Sequence, residues 1–327
     1  MIGVPAGRLR AGLVTCALVI ASGIPVFAAE SYPAGPVRIV VGFGPSSTAD
    51  IVARLIGRHL EEKLGKPFII EDRPGNSSML AMEAVARAPN DGRTLFMATV
   101  ANTLNPARMK SSFDLGKDLQ PIALLGVVPN VLVASASVPV KTVGELIALA
   151  KANPGSLTFG TSGLWTASHI AVEMFNLKAG TQIVSVPYQG GANQAMTDLL
   201  AGRINLMFNV AASLAPYVSS GKLTALAVGQ PKRTAIMPDV PTMEEAGLPG
   251  FDVGIWIGLL APAGTGPEIV DTLARASNDA LQQPSIREAL KAQGIDVLGG
   301  TPAEFAAFIR NDNRKWRDLL ESTGLKE

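Results

Sequence analysis

The apolar positions of the chain fall into two alternating rhythms. "VRIVVGF" (37–43), "PFIIE" (67–71) and "TLFMAT" (94–99) are short β-branched and aromatic runs, as strands covered on both faces require. Between the first two, residues 48–64 carry Ile51, Val52, Leu55, Ile56 and Leu64 at helical spacing and stop at Gly65. "SSMLAMEAVARA" (77–88) supplies the next helix, and the third strand is expected to stop at Asn102 and the Asn105-Pro106 pair.

The same plan repeats further on. Thr142 and Glu145 form a capping box ahead of a helix that ends at Asn153-Pro154-Gly155, and "LTFGTS" (157–162) then leads into "TASHIAVEMFNLKAG" (166–180). "IVSVPY" (183–188), "INLMFNV" (204–210) and "LTALAVG" (223–229) read as strands, with short helices at 196–202 and 213–221. Two helices close the chain, one opened by Pro267 and one by a second capping box at Thr301 and Glu304. The alternation predicts an α/β fold with mainly parallel sheets. No flexible linker is present, so two domains would be joined by strand-like crossovers near 127–133 and 249–256.

The first residues do not belong to that pattern. Arg8 and Arg10 precede the apolar run "AGLVTCALVIASGIPVF" (11–27), and small residues follow, as in an export signal cut near Ala28. The run is short and broken by Ser22, Gly23 and Pro25, which disfavours a membrane anchor. Cleavage would remove Cys16, the only cysteine, whose preceding Thr15 disfavours lipid attachment. The mature chain would then lack disulfides, thiolate chemistry and cysteine-based metal sites.

Composition narrows the classes further. Of the 327 residues 47% are hydrophobic and 17% charged, with 28 basic residues against 27 acidic ones. That balance fills two cores and offers no basic stripe to nucleic acid.

The loops after the strands carry the candidate chemistry. Gly42-Phe43-Gly44, between a strand and a helix, with Glu71 and Asp72 past the next strand, approaches a dinucleotide fingerprint. Ser47 occupies the third glycine position, however, and Pro45 removes an amide that pyrophosphate would use. "GTSGL" around Ser162 resembles a nucleophile elbow, which would make the chain an exported serine hydrolase. Its last glycine is Leu164, and neither of the two histidines, His59 and His169, is spaced to serve as the base. Reversible binding of an anion by two helix N-termini fits both loops.

The landmarks "DIVARLIGRHLEEKLGKPFIIEDRPG" (50–75), "ELIALAKANPGSLTFGTSG" (145–163), "VPYQGGANQAMTDLLAGRINLMF" (186–208) and "PDVPTMEEAGLPGF" (238–251) occur in order along the chain. In these it resembles the periplasmic solute-binding proteins of tripartite tricarboxylate transporters, the Bordetella uptake gene (Bug) group. The resemblance implies a type II-like periplasmic binding protein fold. Residues 29–128 plus 252–327 would form one domain and 129–251 the other, closing on a ligand like a Venus flytrap. It implies a small organic carboxylate as ligand, no cofactor or metal, and the membrane subunits of a transporter as partner. A sensory receptor would use the same cleft, and a monomer is the default state.

Carried over residue by residue, the resemblance places Phe43, Ser46 and Ser47 in a first binding loop and Ser77 and Ser78 in a second. Both serine pairs stand where the family usually has glycine pairs. The third loop contributes Thr161, Ser162, Trp165 and Thr166, with Trp165 in place of glycine and able to stack on an aromatic ligand. Asp198 is expected to organise the cleft, and Asn209 to donate from the second domain.

Overall fold

The computed structural model describes residues 1–3, 32–109, 111, 113–164, 166–189 and 191–323, and the fold begins at Tyr32. Two sheets form. One takes β1 (Val37–Val41), β2 (Phe68–Asp72), β3 (Thr94–Thr99) and β4 (Leu119–Val128). The chain then leaves to build the second sheet from β5 (Asn130–Ser135), β6 (Thr158–Thr161), β7 (Val184–Pro187), β8 (Leu206–Val210) and β9 (Leu223–Val228). It returns as β10 (Ile255–Pro262) and β11 (Asp296–Val297). The orders are β11-β4-β10-β3-β1-β2 and β7-β6-β8-β5-β9.

Helices fill the connections: α1 (Thr48–Leu64), α2 (Met79–Ala86), α3 (Ala101–Met109), α4 (Leu115–Asp118), α5 (Val143–Ala152), α6 (Ala167–Ala179), α7 (Gly191–Leu200) and α8 (Ala211–Ser219). After β10 come α9 (Pro267–Gln282), α10 (Pro284–Ala292) and α11 (Pro302–Thr323). The period-two pattern of β1 assigns its faces. Val37, Ile39 and Val41 meet Val52, Ile56 and Leu60 of α1 in one core, whereas Val40 joins Met79 and Met82 of α2 in another. A ladder of Phe159, Phe208 and Phe251, stacked at 5.6 Å per step, fills the core on one face of the second sheet.

Both sheets are mixed rather than mainly parallel, because β10 and β11 in the first and β5 in the second pair antiparallel with their neighbours. β1, β2 and β3 run parallel and β10 runs antiparallel to β3 and β4, so β1–β4 share one direction. In the second sheet β6, β7 and β8 run parallel, with β5 antiparallel to β8 and β9. Pro129 alone separates Val128, at the end of β4, from Asn130, which pairs with Val210 at the end of β8. Both carboxyl edges therefore border the crossover. Asn130 ties the outgoing crossover to the returning one: its Nδ2 donates to Val253 O at 2.9 Å, and its carbonyl accepts from Gly229 N at 2.7 Å.

One expected boundary is corrected. Asn102 and Asn105-Pro106 do not stop the chain after β3 but lie inside α3. Tertiary contacts outweigh the missing Pro106 amide: Asn102 Nδ2 donates to Ser78 Oγ at 3.2 Å, and Thr103 bonds Asp312 of α11 at 2.5 Å. No helix among the described residues is long and apolar enough to cross a membrane.

Candidate functional site

In the first sheet β1 lies between β2 and β3, and in the second β6 lies between β7 and β8. The connections therefore leave in opposite directions, which makes these the switch points at whose carboxyl ends open α/β sheets bind ligands. The loops found there are 42–47 and, in the second sheet, 162–164 with Thr166.

The first loop is set by its helix. Ser47 N-caps α1, its Oγ accepting from Asp50 N at 3.3 Å, while Asp50 Oδ2 takes the Ser46 N–H at 2.8 Å. Asp50 is 3% exposed and its other oxygen lies 2.8 Å from Arg54 Nε, so a buried carboxylate braces the loop. Burial would raise the Asp50 carboxyl, but Arg54 and the Ser46 amide outweigh it and hold it below the usual range. Arg54 also reaches Asp72 at 3.2 Å; burial and the nearby Asp50 charge push that second carboxyl up. Ser46 has φ of 65° and is exposed. Phe43 is half-buried against the core beneath α1.

The second loop carries more backbone strain. Gly75, Asn76, Ser77 and Ser78 have φ of 145°, 45°, 49° and 75° in succession. Three side-chain-bearing residues in a row thus occupy the left-handed region, at about 1–3 kcal/mol each. Asn102 Nδ2 donates to Ser78 Oγ at 3.2 Å and Asn105 Nδ2 to Ser77 O at 3.4 Å. Three of the four serines expected to replace family glycines (Ser46, Ser77 and Ser78) therefore sit where only glycine is unstrained. Ser78 is completely buried and Ser47 is engaged as a cap, so the hydroxyls exposed on these loops are those of Ser46 and Ser77.

In the third loop a single hydroxyl collects the others. Ser168 Oγ accepts from Ser162 N at 3.0 Å and lies 3.0 Å from both Ser162 Oγ and Thr166 Oγ1. Thr166 N-caps α6 and donates to Gly163 O at 2.8 Å. Thr161 is fully buried, and its Oγ1 has no partner among the described residues. Trp165 lies outside the described residues. His169 is buried, which lowers its imidazole below its usual range, and its Nε2 stands 3.9 Å from Glu173.

Asp198 works within the second sheet's own loops. It accepts from Tyr188 OH at 2.8 Å and from Arg203 at 2.7 Å. The bonds from Arg203 and Tyr188 hold its carboxyl below the usual range, and burial together with Asp198 pushes the phenol of Tyr188 up to about 12. Asn209 is half-buried, and its Oδ1 accepts from Val210 N at 2.8 Å.

The sequence reading missed Asn102, Asn105 and Ser168, which support the loops. Asn102 could have been found from its place just past the end of a buried strand. Ser168 had no signal beyond being one hydroxyl among several. Arg54 and Arg73 beside the first two loops pair with carboxylates, as does Arg203 in the second sheet. An anion would meet amides and hydroxyls first.

Comparison with known proteins matches residues 52–325 to the tripartite tricarboxylate transporter family receptor. BugT of Bordetella pertussis is 34% identical over 301 residues, covering 91% of this chain and 92% of BugT. Rhodopseudomonas palustris Rpa4515, solved with adipate, is 31% identical with a TM-score of 0.72, covering 90% of this chain and 99% of its own. MatC of the same organism, solved with malate, is 31% identical with a TM-score of 0.69, covering 88% of this chain and 100% of its own.

Proposed function

The chain belongs to the family of tripartite tricarboxylate transporter receptors, periplasmic solute-binding proteins rather than enzymes, and from that premise we propose that it captures one small organic carboxylate between its two sheets. What supports this reading is that two helix N-termini with hydroxyl caps, Ser47 at α1 and Thr166 at α6, lie at the carboxyl edges of sheets joined by one crossover. Each N-terminus favours an anion by about 0.3–1 kcal/mol when exposed, and more once water is excluded.

Residues 29–128 plus 252–327 act as one jaw and 129–251 as the other, hinged where Asn130 joins the two crossovers. Ser46 and Ser77 donate from the first jaw, and Ser162 and Asn209 from the second, with Thr166 holding the loop between β6 and α6. Asp198 stays out of ligand contact because Tyr188 and Arg203 already occupy it. A dicarboxylate is the leading ligand class, since relatives hold adipate and malate. Trp165 and Phe43 would let an aromatic acid compete. The export signal is removed near Ala28, and the loaded receptor delivers its ligand to the membrane subunits of a transporter.

Thermal unfolding against a panel of dicarboxylates, tricarboxylates, benzoates and pyridine carboxylates tests this reading. A ligand that binds only the folded state at a hundred times its Kd stabilises it by about 2.7 kcal/mol. A saturable rise in Tm with at least one acid is expected. A flat response across the panel, with no acid detected by calorimetry, would sink the proposal.

A further inference from the structure

Away from these loops a cavity of about 200 Å³ opens where the returning crossover meets the first sheet. Leu124, Val127, Trp256, Leu298 and Phe308 give it an apolar wall, and Gln230 closes it from the segment after β9. Trp256 and Phe308 meet edge to face, with ring centroids 5.8 Å apart at 84°. Gly254 forms part of the wall because a Cβ there would come within 2.7 Å of Val127 Cγ2. None of these residues belongs to the carboxylate loops.

Gln230 is 4% exposed, and its Nε2 donates to Asp296 Oδ2 at 3.4 Å. An ionised carboxylate can only accept, and this fixes which end of the Gln230 amide faces Asp296. The other end, Oε1, lies over Gly254, 3.3 Å from where a Cβ would stand, and has no partner among the described residues. A buried amide oxygen left in that state is uncommon. The other charged groups on the lining are Lys232, which is exposed, and Asp252, whose carboxylate lies 3.2 Å from a Lys315 ammonium shared with Asp312.

We propose that this cavity is a second binding site, for a neutral one-ring molecule bearing a single hydroxyl or N–H donor. The donor bonds Gln230 Oε1, and the ring lies against Trp256 and Phe308. The size agrees, since an apolar cavity of roughly 150 Å³ is enough to take up benzene. The chemistry agrees as well: an apolar pocket with one polar anchor selects a mostly apolar ligand of fixed orientation.

Phenol is the test probe and toluene its donorless counterpart, each titrated into the full chain and followed by ligand-observed NMR. Phenol should bind saturably and toluene about fivefold more weakly, the worth of one neutral hydrogen bond. Gln230→Met should bring phenol down to the level of toluene. Leu298→Trp, which fills the half-exposed mouth, should remove both. Equal binding of the two probes to the parent, undiminished phenol binding by Gln230→Met, or no phenol binding at all would overturn the proposal. If Gln230→Met does not fold, the comparison of phenol with toluene on the parent, together with Leu298→Trp, decides the matter.

Discussion

Ser78 fills the space over Gly42: a Cβ built on Gly42 would overlap Ser78 Oγ and lie 2.7 Å from Ser78 Cα. The end of β1 and the strained turn ahead of α2 thus interlock, and the first two binding loops form one unit. Gly42→Ala forces that unit apart, because the obstacle is backbone as well as a side chain. Overpacking of this kind costs about 1–3 kcal/mol. A fall in Tm of about 2–6 °C is expected, with weaker carboxylate binding. An unchanged melting curve would show that the two loops separate freely.

Ser77→Gly tests the strain from the opposite direction. Ser77 is exposed at φ 49°, and Asn105 holds its carbonyl rather than its side chain. Relief of the left-handed penalty outweighs the extra freedom of glycine in the unfolded chain, so a gain of about 0.5–1 kcal/mol should appear in denaturant unfolding. A loss of stability would mean that the hydroxyl makes a contact worth more than the strain.

Asp50 gives a pH signature. Its carboxyl is held below the usual range in the folded chain, so its contribution is complete above the ordinary carboxylate pKa near 4 and fades as pH falls through the lower folded value. Asp50→Asn should cost about 1.5–3 kcal/mol at pH 7, since a charged acceptor for Ser46 and Arg54 is lost. The gap to the parent should narrow steadily below about pH 4. A gap that stays constant down to pH 3 would contradict the assignment.

Tyr188 and Asp198 can be followed by ultraviolet titration of the phenols. The phenol is raised to about 12 by burial first and by Asp198 second, so Asp198→Asn lowers it only part of the way toward 10. One of the three tyrosines should ionise earlier in the variant. An identical titration would mean that the bond between them does not hold in solution.

Much of the fold could be read from periodicity. β3 falls where "TLFMAT" was expected, and α1 is opened by Ser47 and closed by Gly65 in a left-handed cap. The box at Thr301 and Glu304 forms in both directions, at 3.2 and 2.7 Å. The misses have local causes. α3 hid behind Asn105-Pro106, whose breaking tendency is overcome by side-chain bonds to Ser78 and Asp312 that only the folded chain makes. At the site, the serine pairs were visible but their backbone angles were not. Three of the four serines prove to be strained, and only two expose a hydroxyl, a division that φ and burial decide rather than residue type.

The central claim is that both sheets grip the same carboxylate. Isothermal titration of adipate and malate into the parent, Ser46→Ala and Asn209→Ala measures it most directly, since the two variants alter opposite jaws. One acid should bind the parent with one-to-one stoichiometry, and each variant should weaken it by about threefold to tenfold, as the loss of one contact requires. Binding that one variant weakens and the other leaves untouched would place the ligand on a single sheet and contradict the account.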